Sequence, residues 1–479
     1  MPRTRTRFPG ELLVELRKDD PLPLHHQLEQ ELRRAIRAGR LQPETALPST
    51  RVLAEQLDLS RGVVVEAYEQ LVAEGYLMSV PGGATRVASR AAAPTLDRTR
   101  TSASPEIRIS FAYGRPDVTQ FPRQIWLRSI RRVLVEAPSD RLTYLDRRGA
   151  PELHEALASY LNRVRGTAAD PADIVICNGF AQAVDLVTQL VKARGGRRIA
   201  VEDPGDADGR VAIRRHGLEP VPIPVDADGI SIEALLRSSA DAAFLTPAHH
   251  YPTGAVMAPD RRAELLAWAD DRDALILEDD YDAEFRYDRE PIGAIHGLAP
   301  ERVIYAGSAS KTLAPGLRLG WMIVPHHLVD TIGELKDAAD RGSASLDQLA
   351  FADFLARGEF DRHLRRMRPI YRARRDALLD ALRRYLPDLR PIGASAGLHV
   401  LAMLPPGMDE ENVIDAAMAS GVKVRGVAPT YHDPSQAPGG LLFGYGVVTP
   451  SEIEEGIRIV ARAVDAQTAA DPQRRPASD

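Results

Sequence analysis

Residues 307–321 read GSASKTLAPGLRLGW and follow directly on the apolar run RVIYA, residues 302–306. A run of that length bounded by small residues predicts a buried strand that opens into a loop. A lysine in such a loop, here Lys311, can approach a carbonyl carbon and form an imine. Ser308 and Ser310 place hydroxyls beside it, and Arg318 can return a guanidinium to a phosphate. Arginine stays protonated and cannot serve as an amine nucleophile. The chain has 61 basic residues but only five lysines: Lys18, Lys192, Lys311, Lys336 and Lys423. Alone, the stretch reads equally as a surface lysine in a polar loop.

Outward from that loop, further short apolar runs alternate with helical patterns: DIVICN at 173–178, RRIAVED at 197–203, AAFLTP at 242–247, ALILEDD at 274–280 and LGWMIVP at 319–325. Strand–helix alternation predicts an α/β domain with a mainly parallel sheet, and functional residues then gather at the C-terminal strand ends. Three such ends carry chemistry. LILEDDYDAEFRY, residues 275–287, puts acids at the end of an apolar strand, which is costly unless they have partners. Asp279 could face a protonated pyridine nitrogen, and Tyr281 could donate to a phenolate oxygen. VICNGFAQAVDLV, residues 175–187, predicts a glycine turn into a helix, whose backbone amides at Gly179, Phe180 and Ala181 make an anion site. TPAHHYPTGAV, residues 246–256, is a loop holding His249 and His250. Two adjacent histidines without a third ligand nearby do not predict a metal site. From about residue 345 the pattern turns helical, and a short α+β region from Gly397 to Ala466 follows.

The first ninety residues differ. PLPLHHQLEQELRRAIRAGRL, residues 21–41, spaces Leu24, Leu28, Leu32 and Ile36 as one face of a helix. Ser49 or Thr50 is placed to cap a short helix through Leu57, and Ser60 a longer one through Ala73. YLMSV, PGG and ATRVA then read as a small hairpin. Three helices and a hairpin give the order of a winged helix-turn-helix, whose second helix enters the DNA major groove. Arg61, behind Ser60, is placed for a base or phosphate, Arg51 for a phosphate, and Gly82 in the wing for close backbone approach. As isolated arginines both would be ordinary solvated surface groups. Residues 89–106, rich in Ala, Ser, Thr, Arg and Pro, read as a linker. The expected division is therefore 21–88 for DNA binding, 107–466 for the α/β domain, and 467–479 as a disordered tail.

Composition sets bounds on this reading. The 479 residues are 44% hydrophobic and 27% charged, ordinary for a globular protein. One cysteine, Cys177, excludes an internal disulfide framework and a multi-cysteine zinc site. The sequence shows neither an apolar run of membrane-spanning length nor a secretory leader, so a cytoplasmic protein with no membrane partner is expected. The net charge of −6 opposes DNA at long range, and residues 1–90 hold 13 Arg/Lys against 12 Asp/Glu. DNA contact must come from a local patch.

LPSTRVLAEQLDLSRGVVVEAYEQLVAEGYL resembles the DNA-binding domain of the GntR family, and the resemblance puts Arg51, Ser60, Arg61 and Gly82 at DNA-contact positions. The family's recognition-helix threonine is Val63 here, and its wing pattern differs. The four later motifs, in their order, resemble fold-type-I aminotransferases, which bind pyridoxal 5′-phosphate. Together with EDDYDAEFRY, SKTL, RLGW, HLRRMRPIYRARRDAL and AGLHV, the chain resembles the MocR-type subgroup of GntR regulators. The resemblance implies Lys311 as the aldimine lysine, Asp279 as partner of the ring nitrogen and Tyr281 as donor to the phenolate. It implies a phosphate held by Ser308, Ser310, Arg318 and the turn Gly179, Phe180 and Ala181. Tyr144 matches a tyrosine reaching the phosphate of a neighbouring subunit, which implies a homodimer, and Tyr251 stands where the enzymes carry asparagine. The implied function is a transcriptional regulator that binds a double-stranded DNA operator and senses pyridoxal phosphate, an amine or an amino acid. Two other readings stay open: an aminotransferase with an accessory DNA-binding domain, and a DNA-binding protein whose large domain is only a dimerisation scaffold. Two departures bear on them. Asp206 stands where a ring-stacking aromatic is usual, and Leu442 where the enzymes carry a carboxylate-binding arginine, with Arg210 and Arg425 as possible replacements.

Overall fold

The computed structural model describes residues 5–7, 13–79, 84–89, 106–144, 146–282, 284–287 and 292–470. The chain divides into two compact units, Met1–Ser104 and Pro105–Asp479.

In the first unit, helices α1 (Leu24–Arg37), α2 (Thr50–Leu57) and α3 (Arg61–Ala73) precede an antiparallel pair, Leu77–Met78 with Arg86–Val87. The stripe read from the sequence faces inward. Leu28, Leu32 and Ile36 are fully buried and cluster with Leu53, Leu57, Val64 and Leu71. Of the two capping candidates for α2, Ser49 does the work: its Oγ accepts the Val52 amide at 3.3 Å. Asp58 then turns through a left-handed conformation (φ 52°), which brings α3 round in a tight connection. Ser60 sits at the start of α3 without a side-chain cap bond. Two short strands, Arg5–Arg7 and Leu13–Glu15, pair ahead of these helices. The wing tip, with Gly82, lies outside the described residues, as does nearly all of the 89–106 segment.

The second unit is built on an eight-stranded sheet. Its order is Ile174–Cys177, Gly320–Ile323, Val303–Ser308, Leu275–Asp279, Ala242–Leu245, Arg198–Asp203, Glu219–Asp226 and Gly229–Ile230. The five strands from Val303–Ser308 to Glu219–Asp226 are parallel. Gly320–Ile323 runs antiparallel to both its neighbours. Both faces are covered, as parallel strands require. Ile199, Leu277 and Ile304 pack on one side against the helix Phe180–Ala193, and Ala200, Ile276 and Val303 on the other with Trp268. After the 27-residue helix Glu359–Tyr385, a four-stranded antiparallel sheet orders Arg390–Ile392, His399–Met403, Gly440–Gly444 and Arg425–Gly426. The last helix, Pro450–Ala470, continues past the expected boundary at 466, with Thr468 Oγ1 bonded back to the Val464 carbonyl. The rest of the expected tail lies outside the described residues. Among the described residues no helix is long and apolar enough to cross a membrane.

The sheet's most deeply buried ion pair lies beneath the strand end Leu275–Asp279. Arg165 Nε and Nη2 donate to Asp280 at 2.6 and 3.1 Å, and the Tyr305 hydroxyl donates to the same carboxylate at 2.6 Å. Both ionic side chains are 1% exposed. Removing one partner leaves the other charge buried and alone, at a cost of about 3–5 kcal/mol. Arg165→Met is expected to lower stability by an amount in that range, read as a drop in the denaturant midpoint of the full chain followed by tryptophan fluorescence.

Candidate functional site

A cavity of about 420 Å³ opens at the C-terminal ends of the parallel strands. Its wall includes Phe180, Ala181, Tyr251, Asp279, Tyr281, Ser308, Ser310, Lys311 and Arg318. Nine of the eleven residues expected around a cofactor are thus brought together from segments up to 138 positions apart in sequence. Gly179 lies just behind this wall, under Arg318. Tyr144 does not enter the cavity of its own chain and is 87% exposed.

Lys311 follows the strand Val303–Ser308, and its Nζ donates to the Gly114 carbonyl at 2.7 Å, 5.6 Å from the centre of the Tyr113 ring. Gly114 has φ +73°, and a Cβ there would lie 2.8 Å from Nζ, so only glycine admits the amine so close. Burial pushes the Lys311 ammonium pKa down, against the opposing pull of Asp282, Asp279 and Asp206. A lysine shifted this way is readier to act as a neutral nucleophile.

Asp279 projects into the cavity from its strand end. Burial first, and then the charges of Asp206, Asp280 and Asp282, raise its carboxyl pKa well above the ordinary value. Among the described residues its carboxyl has no hydrogen-bond or ion-pair partner. Tyr281, also raised by burial, places its hydroxyl 3.1 Å from His249 Nδ1. The same Nδ1 lies 3.0 Å from Asp282. Burial disfavours the protonated ring of His249, but the Asp282 charge and hydrogen bond outweigh it and raise the pKa. The Nδ1 proton is therefore donated to Asp282, which leaves the phenol proton of Tyr281 free for an acceptor in the cavity. His250 has a separate set of partners, Thr253 Oγ1 at 2.7 Å and the Pro204 carbonyl at 3.0 Å.

The anion cup forms where the strand Ile174–Cys177 turns into the helix Phe180–Ala193. Gly179 makes the turn at φ +88°, and a Cβ there would meet an Arg318 nitrogen at 2.9 Å. The Arg318 guanidinium donates to the Asn178 carbonyl. Asp340 fixes the turn from behind. It accepts from Asn178 Nδ2 at 3.0 Å, Gln182 Nε2 at 2.8 Å and the fully buried Lys336 at 2.8 Å. A guanidinium, the Ser308 and Ser310 hydroxyls and a helix N-terminus together suit a phosphate.

Both departures from the expected pattern have a structural account. Asp206 caps the helix Ala207–Arg215, accepting the Asp208 and Gly209 amides at 3.1 and 2.9 Å, and still lines the cavity. Leu442 packs in an apolar cluster with Tyr251, Leu401 and Val427. Of its possible replacements, Arg210 is committed to backbone carbonyls at 205, 429, 430 and 431. Arg425 pairs across the sheet with Leu442 but is exposed and outside the cavity wall. Sequence reasoning missed Tyr113, which stacks on Tyr251 at 4.4 Å, together with Gly114, Asp282 and Asp340. The phrase AYGRPD, with a glycine after an aromatic, was the only available signal for the first two.

In the N-terminal unit, Arg51 and Arg61 border one shallow surface depression with Glu55 and Asp58. Arg51 is 81% exposed and lies 3.5 Å from Glu55, and Arg61 is the exposed first residue of α3.

The two units correspond to two known patterns. Residues 24–87 match the family described as bacterial regulatory proteins, gntR family, and residues 107–456 match aminotransferase class I and II. This defines a gntR-type helix-turn-helix regulator fused to an aminotransferase fold. Among full-length relatives, the probable rhizopine catabolism regulatory protein MocR of Rhizobium meliloti is 34% identical, over 94% of this chain and 96% of that protein. The pyridoxine biosynthesis transcriptional regulator PdxR of Corynebacterium glutamicum is 32% identical, over 91% and 95%. The chain belongs to the MocR-type regulators of the gntR family. A crystal structure of Pyrococcus horikoshii kynurenine aminotransferase in complex with PMP, kynurenine and its product covers 76% of this chain and 92% of its own, at TM-score 0.69 and 27% identity.

Glu202 adds a titrating group to the cavity wall. Burial raises its carboxyl pKa to about 8, against hydrogen bonds from the Thr246 amide and hydroxyl. An acid whose folded pKa exceeds its unfolded one of about 4.3 holds its proton more tightly when folded. Its stabilising contribution is present at low pH and is lost as pH rises toward 8. The thermal midpoint of cofactor-free Glu202→Gln is therefore expected to gain on that of wild type between pH 5 and pH 8, while His250, His296, His363 and His399, lowered by burial to about 3, 4, 4 and 4, add a rise common to both below about pH 6.5. Glu278 and Glu284, each raised to about 7 by burial, maintain part of the slope in the variant.

Proposed function

We propose that the chain is a DNA-binding transcriptional regulator whose aminotransferase domain holds pyridoxal 5′-phosphate on Lys311 and responds there to pyridoxal phosphate, an amine or an amino acid. One observation carries the reading. A glycine-cleared lysine amine, an unpartnered half-buried carboxyl and an arginine-and-helix anion cup share one cavity, in a chain that also carries a helix-turn-helix unit. The residues present fit the cofactor. Asp279 has a raised carboxyl and no partner, which suits a pyridine nitrogen, and the Gly179–Arg318 cup suits a phosphate. When bound, the cofactor supplies an electrophilic aldehyde carbon and a ring that withdraws electron density from it.

The chain's own side chains divide the work. Lys311 supplies the amine. Asp279 holds a proton at the ring nitrogen, and Tyr281 donates to the phenolate, its orientation set by His249 and Asp282. Ser308, Ser310, Arg318 and the amides of Phe180 and Ala181 bind the phosphate. Tyr251, stacked on Tyr113, closes the side of the cavity. The exposed Tyr144 reaches a second copy of the chain, so the acting form is a homodimer in the cytoplasm. The effector changes DNA affinity only if it binds two arrangements of the protein unequally. Arg51, Ser60, Arg61 and the wing at Gly82 contact the operator. The loss of a carboxylate-binding arginine at Leu442 argues against ordinary amino-acid transamination.

Two measurements test this reading. Wild type and Lys311→Ala are each given pyridoxal phosphate, desalted and scanned. Wild type is expected to retain the visible absorbance band of a lysine-bound cofactor, and the variant to lose it. A wild type without the band makes the large domain a scaffold. Separately, a duplex selected from a random pool by the full-length protein is expected to bind Arg61→Ala about tenfold more weakly, read by fluorescence anisotropy. Unchanged affinity removes α3 from the groove.

A further inference from the structure

The charges around Lys311 are unevenly committed. Both arginines of the cavity wall are engaged. Arg210 Nη1 donates to the carbonyls of Gly205 and Thr430, and Nη2 to those of Pro429 and Tyr431. Arg318 is held at Asn178 beside the anion cup. The acids differ among themselves. Glu202 is bonded to Thr246, and Asp279 faces the position proposed for the ring nitrogen. Asp206 and Asp208 remain exposed at the mouth, on the first turn of Ala207–Arg215. Burial raises the Asp206 carboxyl pKa, the two amides it accepts as a helix cap and the Arg210 charge oppose that rise and fix the carboxyl in place, and its charge reaches the Lys311 amine. Leu442 is fully buried behind Tyr251 and does not line the cavity, and Arg425 stands outside the wall, its charge reaching the Tyr251 hydroxyl.

We propose that the effector is a primary amine that carries a second cationic group and no carboxylate, with Asp206 and Asp208 receiving the distal ammonium. The proposal rests on the cofactor reading above. A ligand carboxylate entering this mouth meets two fixed carboxylates and, among the described lining residues, no uncommitted guanidinium. It surrenders its hydration without a charge-assisted partner. A distal ammonium meets the reverse situation, and the negative mouth also concentrates cations before they bind. The exchange on the cofactor carbon balances without an oxidant. With the cofactor held on Lys311, a carbon–nitrogen double bond to the ligand would form as the one to Lys311 broke, and two protons would pass from the neutral ligand amine to the Lys311 nitrogen.

The test uses the full-length protein loaded with pyridoxal phosphate. It is titrated with 1,5-diaminopentane, 5-aminopentanoate and lysine, and followed by visible absorbance and thermal midpoint. The diamine is expected to half-saturate at a concentration lower by about tenfold or more than either carboxylate. Asp206→Asn retains a good helix cap while removing the charge, and it is expected to bring the ratio to within about threefold. The inference is overturned if either carboxylate binds as tightly as the diamine, and most directly if that binding is then lost in Arg425→Ala. A preference unchanged in both Asp206→Asn and Asp208→Asn also overturns it. A loaded protein whose band responds to none of the three ligands sinks this inference and leaves the cofactor reading standing. A wild type that retains no band sinks both.

Discussion

Five consecutive residues, Glu278 to Asp282, include four carboxyls that burial disfavours, and the site depends on how each is accommodated. Glu278 accepts the amides of Ile295 and His296 at 2.9 and 3.0 Å. Asp280 is held by Arg165 and Tyr305, and Asp282 by His249. These three alternate with Asp279 and Tyr281, the two that face the cavity. Strand pleating sets Glu278 and Asp279 on opposite faces, and the alternation continues past the strand end through Asp282. The even positions anchor the segment and the odd ones line the site. A one-residue slip would exchange the two sets and place unanchored acids in the interior. The Arg165–Asp280 pair therefore contributes register as well as stability.

The same even–odd division explains what the sequence could reveal. Runs such as RRIAVED and ALILEDD have the length and composition of doubly covered strands, so the α/β class and the clustering of loops at one edge were readable. The lysine loop, the glycine turn and the acidic strand end each carried a local chemical signature. Contacts between distant segments carried none. Gly114 lies 197 residues from the amine it receives, and the Asp340 anchor is 162 residues from Asn178. Nothing in the local pattern of either segment states that pairing. The fate of Arg210 was equally hidden, because three of its four carbonyl partners depend on how the 429–431 segment folds back. Asp206 appeared as a disruption of ring stacking. Its capping role follows from the helix that begins one residue later.

The helix-turn-helix unit was legible for the opposite reason. Its determinants are local: a leucine stripe, a serine cap and a left-handed turn at Asp58, all within the spans they control. The segment joining the two units carries no comparable physical signal. The two units also differ in how binding is encoded. On the proposed reading DNA recognition is displayed on exposed side chains at the starts of α2 and α3, whereas the cofactor site is assembled from five strand ends and a loop.

The strand Gly320–Ile323 closes the loop that leaves Val303–Ser308, because Ser308 pairs with Gly320 across the sheet. Lys311 and Arg318 thus belong to one short tether with both ends anchored. On the proposed reading, a ligand gripped at its phosphate by Arg318 would be presented to Lys311 as though the reaction were intramolecular. The effective concentration of its aldehyde at the amine is on the order of millimolar or more. The two grips act as a chelate, each slowing escape from the other. An analogue lacking the phosphate would form the same covalent bond yet dissociate far more readily, so a chain built this way would discriminate by residence time between phosphorylated and unphosphorylated forms of one aldehyde.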